Sequence, residues 1–82
     1  MNFSRITIEP GKMSGQPCVR GYRITVRRLL SALARLESRA EVLREFPGLE
    51  DEDITQALHF AAAQLPDEEV ELTPQQMMAS AE

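Results

Sequence analysis

Four arginines, Arg20, Arg23, Arg27 and Arg28, fall within nine consecutive residues of this chain. A guanidinium offers a planar fork of donors that matches phosphate and carboxylate. The first two sit in a stretch that reads G-Q-P-C-V-R-G-Y-R-I-T-V over residues 15–26. Gly15 and Gly21 suit positive backbone dihedrals or close approach by another backbone. A short, glycine-punctuated, arginine-bearing loop is suited to binding an anion rather than to making or breaking bonds. Each phosphate that such a set contacts steepens the log–log salt dependence of binding by ~0.9. The competing assignment pairs the same arginines with carboxylates of the chain.

Other chemistry is poorly supplied. His59 and Cys18 are the only residues of their types, far apart in sequence. One cysteine and one histidine do not compose a zinc site of the usual kind. The acidic run at 50–53 has the spacing of a helix start rather than of a metal site, and no phosphate-cradling loop of the Walker type is present. No catalytic residue, metal ligand or cofactor is therefore assigned. Gln56 and His59, about one helical turn apart, are candidates for contact with base edges. The alternative for both is an ordinary surface position.

Charge is divided along the chain. Residues 1–36 carry seven bases against Glu9 alone, and residues 37–82 carry Arg39 and Arg44 against twelve acids, within a net charge of −4. The positive half suits phosphate, while the negative half would repel nucleic acid and attract a basic protein. Equally, the halves can attract each other. Eighty-two residues make one domain, and a core of that size supplies only ~3–5 kcal/mol, which favours a partner or a second copy. Residues 1–11 lack the apolar core of a signal peptide, and no apolar run reaches the ~18 residues of a membrane span. The lone Cys18 fits a reducing cytoplasm.

The elements that would position these residues are legible. Residues 5–9 alternate, with Ile6 and Ile8 on one face, as in a half-buried strand. Residues 17–20 read as a second short strand that Pro17 confines to an edge. Val26, Leu29, Leu30, Leu33 and Leu36 predict a first helix over 26–36, capped by Thr25. Ser38 opens a second helix through a capping box with Glu41. Val42, Leu43 and Phe46 form its buried face, and Pro47-Gly48 ends it. A third helix runs from near 50 to about 64, with Ile54, Ala57, Leu58, Ala61 and Leu65 as its core stripe. Leu49 and Ile54 are spaced as a hydrophobic staple, and the acids at 50–53 complement the helix dipole. Residues 66–72 are acidic and extended in character. Thr73-Pro74-Gln75-Gln76 then offers the start of a short helix carrying Met77 and Met78.

The expected fold is mainly α: a homeodomain-like three-helix bundle with a helix-turn-helix formed by the second and third helices, a short N-terminal β element and a C-terminal arm. The domain covers residues 1–65 and the arm 66–82. An exposed edge on so short a sheet calls for a neighbour, which predicts a homodimer.

The order of motifs resembles a known family. Pro10-Gly11, then Gly15-Gln16-Pro17-Cys18-Val19-Arg20-Gly21-Tyr22-Arg23-Ile24-Thr25-Val26, then Phe46-Pro47-Gly48-Leu49, then Glu52-Asp53-Ile54 with Ala57-Leu58 and Phe60-Ala61-Ala62, looks like the small bacterial proteins grouped as domain of unknown function 433. The resemblance covers roughly residues 5–63. It implies an antitoxin-like helix-turn-helix protein that pairs with a PIN-like ribonuclease toxin and represses its own operon. The chain departs from the family's pattern at Tyr22, usually threonine, and at Glu50, where the helix-three cap is usually threonine or serine.

The expected function is a type II antitoxin. Arg20, Arg23, Arg27, Arg28, Gln56 and His59 would contact operator DNA. Val70, Leu72, Met77 and Met78 would hold the toxin and cover its site, as a polar acidic segment can when it orders on binding. The alternative is a protein-binding adaptor without a nucleic-acid role, which the acidic start of the third helix favours.

Overall fold

A computed structural model describes residues 3–66. Two strands, β1 (Ile6–Thr7) and β2 (Cys18–Val19), are followed by α1 (Val26–Leu36), α2 (Arg39–Glu45) and α3 (Asp51–Gln64). The strands pair antiparallel, Ile6 with Val19 and Thr7 with Cys18. The backbone beyond them continues the pairing, with the Arg20 N–H donating to the Arg5 carbonyl at 2.8 Å. The expected strand over 5–9 is thus cut to two residues. Ile8 is 59% exposed rather than half-buried, because the pairing ends before it reaches that position.

The helix boundaries follow local chemistry. The Thr25 hydroxyl accepts the Arg28 N–H at 3.0 Å and caps α1. That helix closes on Glu37 in the left-handed region, its N–H reaching the Leu33 carbonyl. Ser38 accepts the Glu41 N–H at 3.2 Å and opens α2, while the Glu41 carboxylate turns to Arg44 at 3.0 Å. At the far end, Pro47 disfavours helical geometry at Phe46, which sits at φ −121°, ψ 76°. Pro66 acts likewise on Leu65, extended at φ −93°, ψ 142°, where α3 stops.

The core gathers Val19, Val26, Leu29, Ala32, Val42, Phe46, Leu49, Ile54 and Ala57, with Leu30, Leu33, Leu36, Leu43 and Phe60 packed against it. All three helices meet around it, and β1 lies on α3. The third helix buries Ile54 and Ala57 of the expected stripe but not its two leucines. Leu58 is 41% and Leu65 71% exposed, while Asp53 is fully buried beside Ile54 and Ala57. Leu58 lies one residue, about 100° of helix, beyond Ala57. Phe60 takes the inward place instead, edge-on to Phe3 with ring centroids 5.4 Å apart.

A tight turn links β2 to α1. The Tyr22 N–H donates to the Val19 carbonyl at 2.8 Å, and the two residues between them, Arg20 and Gly21, have φ of 45° and 76°. Positive φ at both central positions is the signature of a type I′ turn. The Gly21 N–H donates to the Thr7 hydroxyl at 3.0 Å, which ties the turn to β1. Replacing Gly21 with alanine keeps the strained φ and adds a Cβ, so stability should fall by about 1 kcal/mol. Gly11→Ala, in open space, should stay within about 0.5 kcal/mol of the parent. Urea midpoints of the two variants check the contrast.

Candidate functional site

The most constrained group of polar atoms surrounds Asp53, at the third position of α3. Its carboxylate is fully buried. Arg20 approaches from the turn in a bidentate fork, Nε to Oδ1 at 2.9 Å and Nη2 to Oδ2 at 2.8 Å. Arg5 donates from beside β1, Nη1 to Oδ1 at 3.0 Å. The Glu50 backbone N–H completes the set at 2.7 Å to Oδ2. An ionised carboxylate has about four acceptor positions, and four donors fill them here. The outer atoms are committed too. Arg20 Nη2 reaches the Gly48 carbonyl at 2.8 Å, and Arg5 Nη1 reaches Glu50 Oε1 at 2.7 Å.

Burial by itself would push the Asp53 carboxyl up. The Arg20 hydrogen bonds, the Glu50 N–H and Arg5 outweigh it and hold the group below the usual carboxylate range. Arg20 and Arg5 are raised in turn, each chiefly by its hydrogen bonds to the facing carboxylates. A carboxylate that is ionised, dry and saturated with donors has no lone pair free to take a substrate proton and no path to attack an electrophile. Its role is to join β1, the turn and the α2–α3 connection at one point.

The structure divides the arginine set read from the sequence. Arg20 faces inward and is committed to Asp53 and Gly48. Arg23, Arg27 and Arg28 are exposed, and Arg28 also lies over the Phe46 ring at 5.4 Å. Of the two candidates on α3, the Gln56 side-chain oxygen accepts the Arg5 backbone N–H at 2.9 Å, whereas His59 is exposed. Val70, Leu72, Met77 and Met78 lie outside the described residues.

The two charged halves do meet within the chain. Besides the Asp53 cluster, Arg35 pairs with Glu45 at 2.9 Å. Within the acidic half itself, Arg39 reaches the Asp51 carboxylate at 2.7 Å and the Thr55 hydroxyl at 2.7 Å. Three of the four acids at the start of α3 are thereby engaged by arginine. Asp51 is lowered chiefly by the Arg39 hydrogen bond. Sequence reading placed Asp53 only as a dipole-complementing acid and left Arg5 unassigned. The available signal was an acid three residues after the helix cap, the position that turns back to the cap N–H.

A family model matches residues 6–61, from the first residue of β1 to deep in α3, and its description is a protein of unknown function, DUF433. The chain belongs to that family. No curated protein and no solved structure matches it. The match spans Arg20, Asp53 and the three exposed arginines, so the DUF433 unit includes the turn and its carboxylate anchor. It ends before residues 67–82. Among the described residues no helix is long and apolar enough to cross a membrane, and no group of three metal-ligating side chains converges.

Because Asp53 is depressed in the folded state, its stabilising contribution is complete above the unfolded pKa of about 4 and is lost as pH falls through the lower folded value. Removing the acceptor leaves two arginines and a helix-start N–H without their partner, so Asp53→Ala should cost about 3 kcal/mol at pH 7. Urea unfolding across pH 7 to 2 should show the gap between parent and variant closing only below pH 4. A gap that stays constant through that window would mean that the carboxylate is not held ionised.

Proposed function

We propose that this DUF433 protein is the antitoxin of a type II toxin–antitoxin pair. In this reading it binds its own operator through Arg23, Arg27 and Arg28, and neutralises a PIN-like ribonuclease with the acidic arm that follows α3. The observation that carries the nucleic-acid part is the place of the arginines. Positive charge at a helix N-terminus opposes the helix dipole and costs a few tenths of a kcal/mol to about 1 kcal/mol. The first turn of α1 nevertheless carries Arg27 and Arg28 and no acid. Among the described residues none of Arg23, Arg27 and Arg28 joins an ion pair, although Arg5, Arg20, Arg35, Arg39 and Arg44 all do. Such a cluster is left for an anion that the described residues do not supply.

The reading assigns α2 and α3, joined through residues 46–50, to a homeodomain-like helix-turn-helix. His59 is its exposed polar candidate on α3. Arg20 and Gln56 support the fold beneath it rather than the DNA. A homodimer in the cytoplasm would present two arginine sets to the two halves of an operator. The arm acts by covering the nuclease, and no bond-making step belongs to this chain.

A second reading, a protein-binding adaptor with no DNA role, draws on Glu50, Asp51 and Glu52, which remain exposed at the start of α3 and would face phosphates there. A gel shift with the operon's promoter at ~150 mM salt separates the two, since weak electrostatic binding fades at that ionic strength. The triple variant R23A/R27A/R28A should lose affinity and flatten the salt dependence by ~0.9 for each phosphate contact removed. Unchanged binding would move the DNA site away from α1, and no binding by the parent would favour the adaptor. For the other end, deletion of residues 67–82 should abolish protection of cells that co-express the neighbouring nuclease while the promoter complex persists. Full protection by the shortened chain would overturn the role of the arm.

A further inference from the structure

An open groove of about 490 Å³ runs between α1 and the C-terminal half of α3. Its floor is apolar: Pro17, Val26, Leu30, Ala34, Phe60 and Ala61, with Arg27 the charged residue on its lining. That size is within the range of grooves that hold a ligand or a run of side chains. We infer that the groove is the docking site of this chain's own C-terminal segment, residues 67–82. The inference does not rest on the antitoxin reading, which gives the same segment to a nuclease; the groove would hold it when no nuclease is bound.

Three observations identify the occupant. The first is where the chain leaves the fold. Gln64, the last residue of α3, itself lines the groove, so the segment starts at the rim. Its local concentration there is that of a tethered ligand, on the order of millimolar. The second is length. Sixteen residues follow Pro66, spanning up to about 50 Å when extended. The eleven residues of α1 amount to about 16 Å of helix, so the segment can run the groove and still turn. The third is composition. Residues 67–82 hold five acids and no base, whereas residues 1–66 hold nine arginines and lysines against eight acids. The excess negative charge of the protein is therefore confined to the segment, next to a groove whose lining, among the described residues, carries a cation and no acid. Val70, Leu72, Met77 and Met78 supply apolar side chains, and unbranched methionine adapts to irregular apolar surfaces.

The test uses the full chain with isotope-labelled methyl groups. The Met77 and Met78 methyls should show through-space contacts to Leu30, Ala34 and Ala61. In the variant V70S/L72S/M77S/M78S those contacts vanish and the Ala34 and Ala61 methyls shift, while Val42 in the core stays in place. Addition of peptide 67–82 at millimolar concentration to that variant should move Ala34 and Ala61 back toward the parent positions. Groove methyls identical in parent and variant would overturn the inference. So would contacts seen only between differently labelled molecules, with a dimer by sedimentation, because the groove would then belong to a second copy. Loss of DNA or nuclease binding would leave these spectra unchanged, which keeps failure of the functional reading apart from failure of this one.

Discussion

A single carboxylate with no access to water fixes how the parts of this small domain sit together. Burying an ionised group is costly unless its attraction and hydrogen bonding are nearly complete. At Asp53 they are complete: two arginines and a helix-start N–H fill its acceptor positions. The donors come from separate places in the chain, one beside β1, one in the turn after β2 and one at the cap of α3. Strands of two residues have too few ladder bonds to choose a position on a helix by themselves. The ion pairs choose it for them. A buried ion pair is weak evidence of net stability, but it is demanding of geometry, and registration of the N-terminal element on α3 is what this fold requires.

The turn after β2 follows from the same demand. Arg20 holds a positive φ of 45°, a region that side-chain-bearing residues visit at a cost and keep only when their surroundings over-determine it. The bidentate contact to Asp53, the bond to the Gly48 carbonyl and the ring of Tyr22 at 5.2 Å supply that determination. Gly21 takes the second positive φ without a Cβ. Strain at one residue is thus offset by contacts that reach three elements away.

Local signals made the helices legible. Thr25 and Ser38 mark the starts of α1 and α2, and Pro47 sets a stop, because capping and ring geometry act within a few residues. The 26–36 span and the end of α3 at 64 coincide with the observed ones. What escaped depends on distant partners. Period alone put Leu58 and Leu65 inside α3 and left Asp53 outside, because hydrophobicity ranks aspartate as a surface residue. Its burial is set by Arg5 and Arg20, 48 and 33 residues away in the chain. The arginine cluster was visible as a cluster, but its division into one inward and three outward members required the backbone of the turn. The charge asymmetry was legible as a sum, while the pairing of Arg39 with Asp51 and Arg5 with Glu50 required the fold.

The two long helices treat their dipoles in opposite ways. At α3 the first turn is acidic, which the positive end of the helix favours, and Arg5, Arg20 and Arg39 neutralise most of that charge from outside. At α1 the first turn carries two arginines with no acid nearby in the helix, an arrangement that the helix itself disfavours. Ion pairs account for the former, whereas at the latter the Phe46 ring beneath Arg28 is the contact found among the described residues. The Asp53 site explains how both persist in one domain. By drawing Arg20 inward it satisfies the acid that α3 buries, and the tight turn that delivers Arg20 leaves Arg23, Arg27 and Arg28 on the exposed side of the loop and helix start. The same backbone constraint that holds the N-terminal element in place therefore also determines which arginines remain exposed.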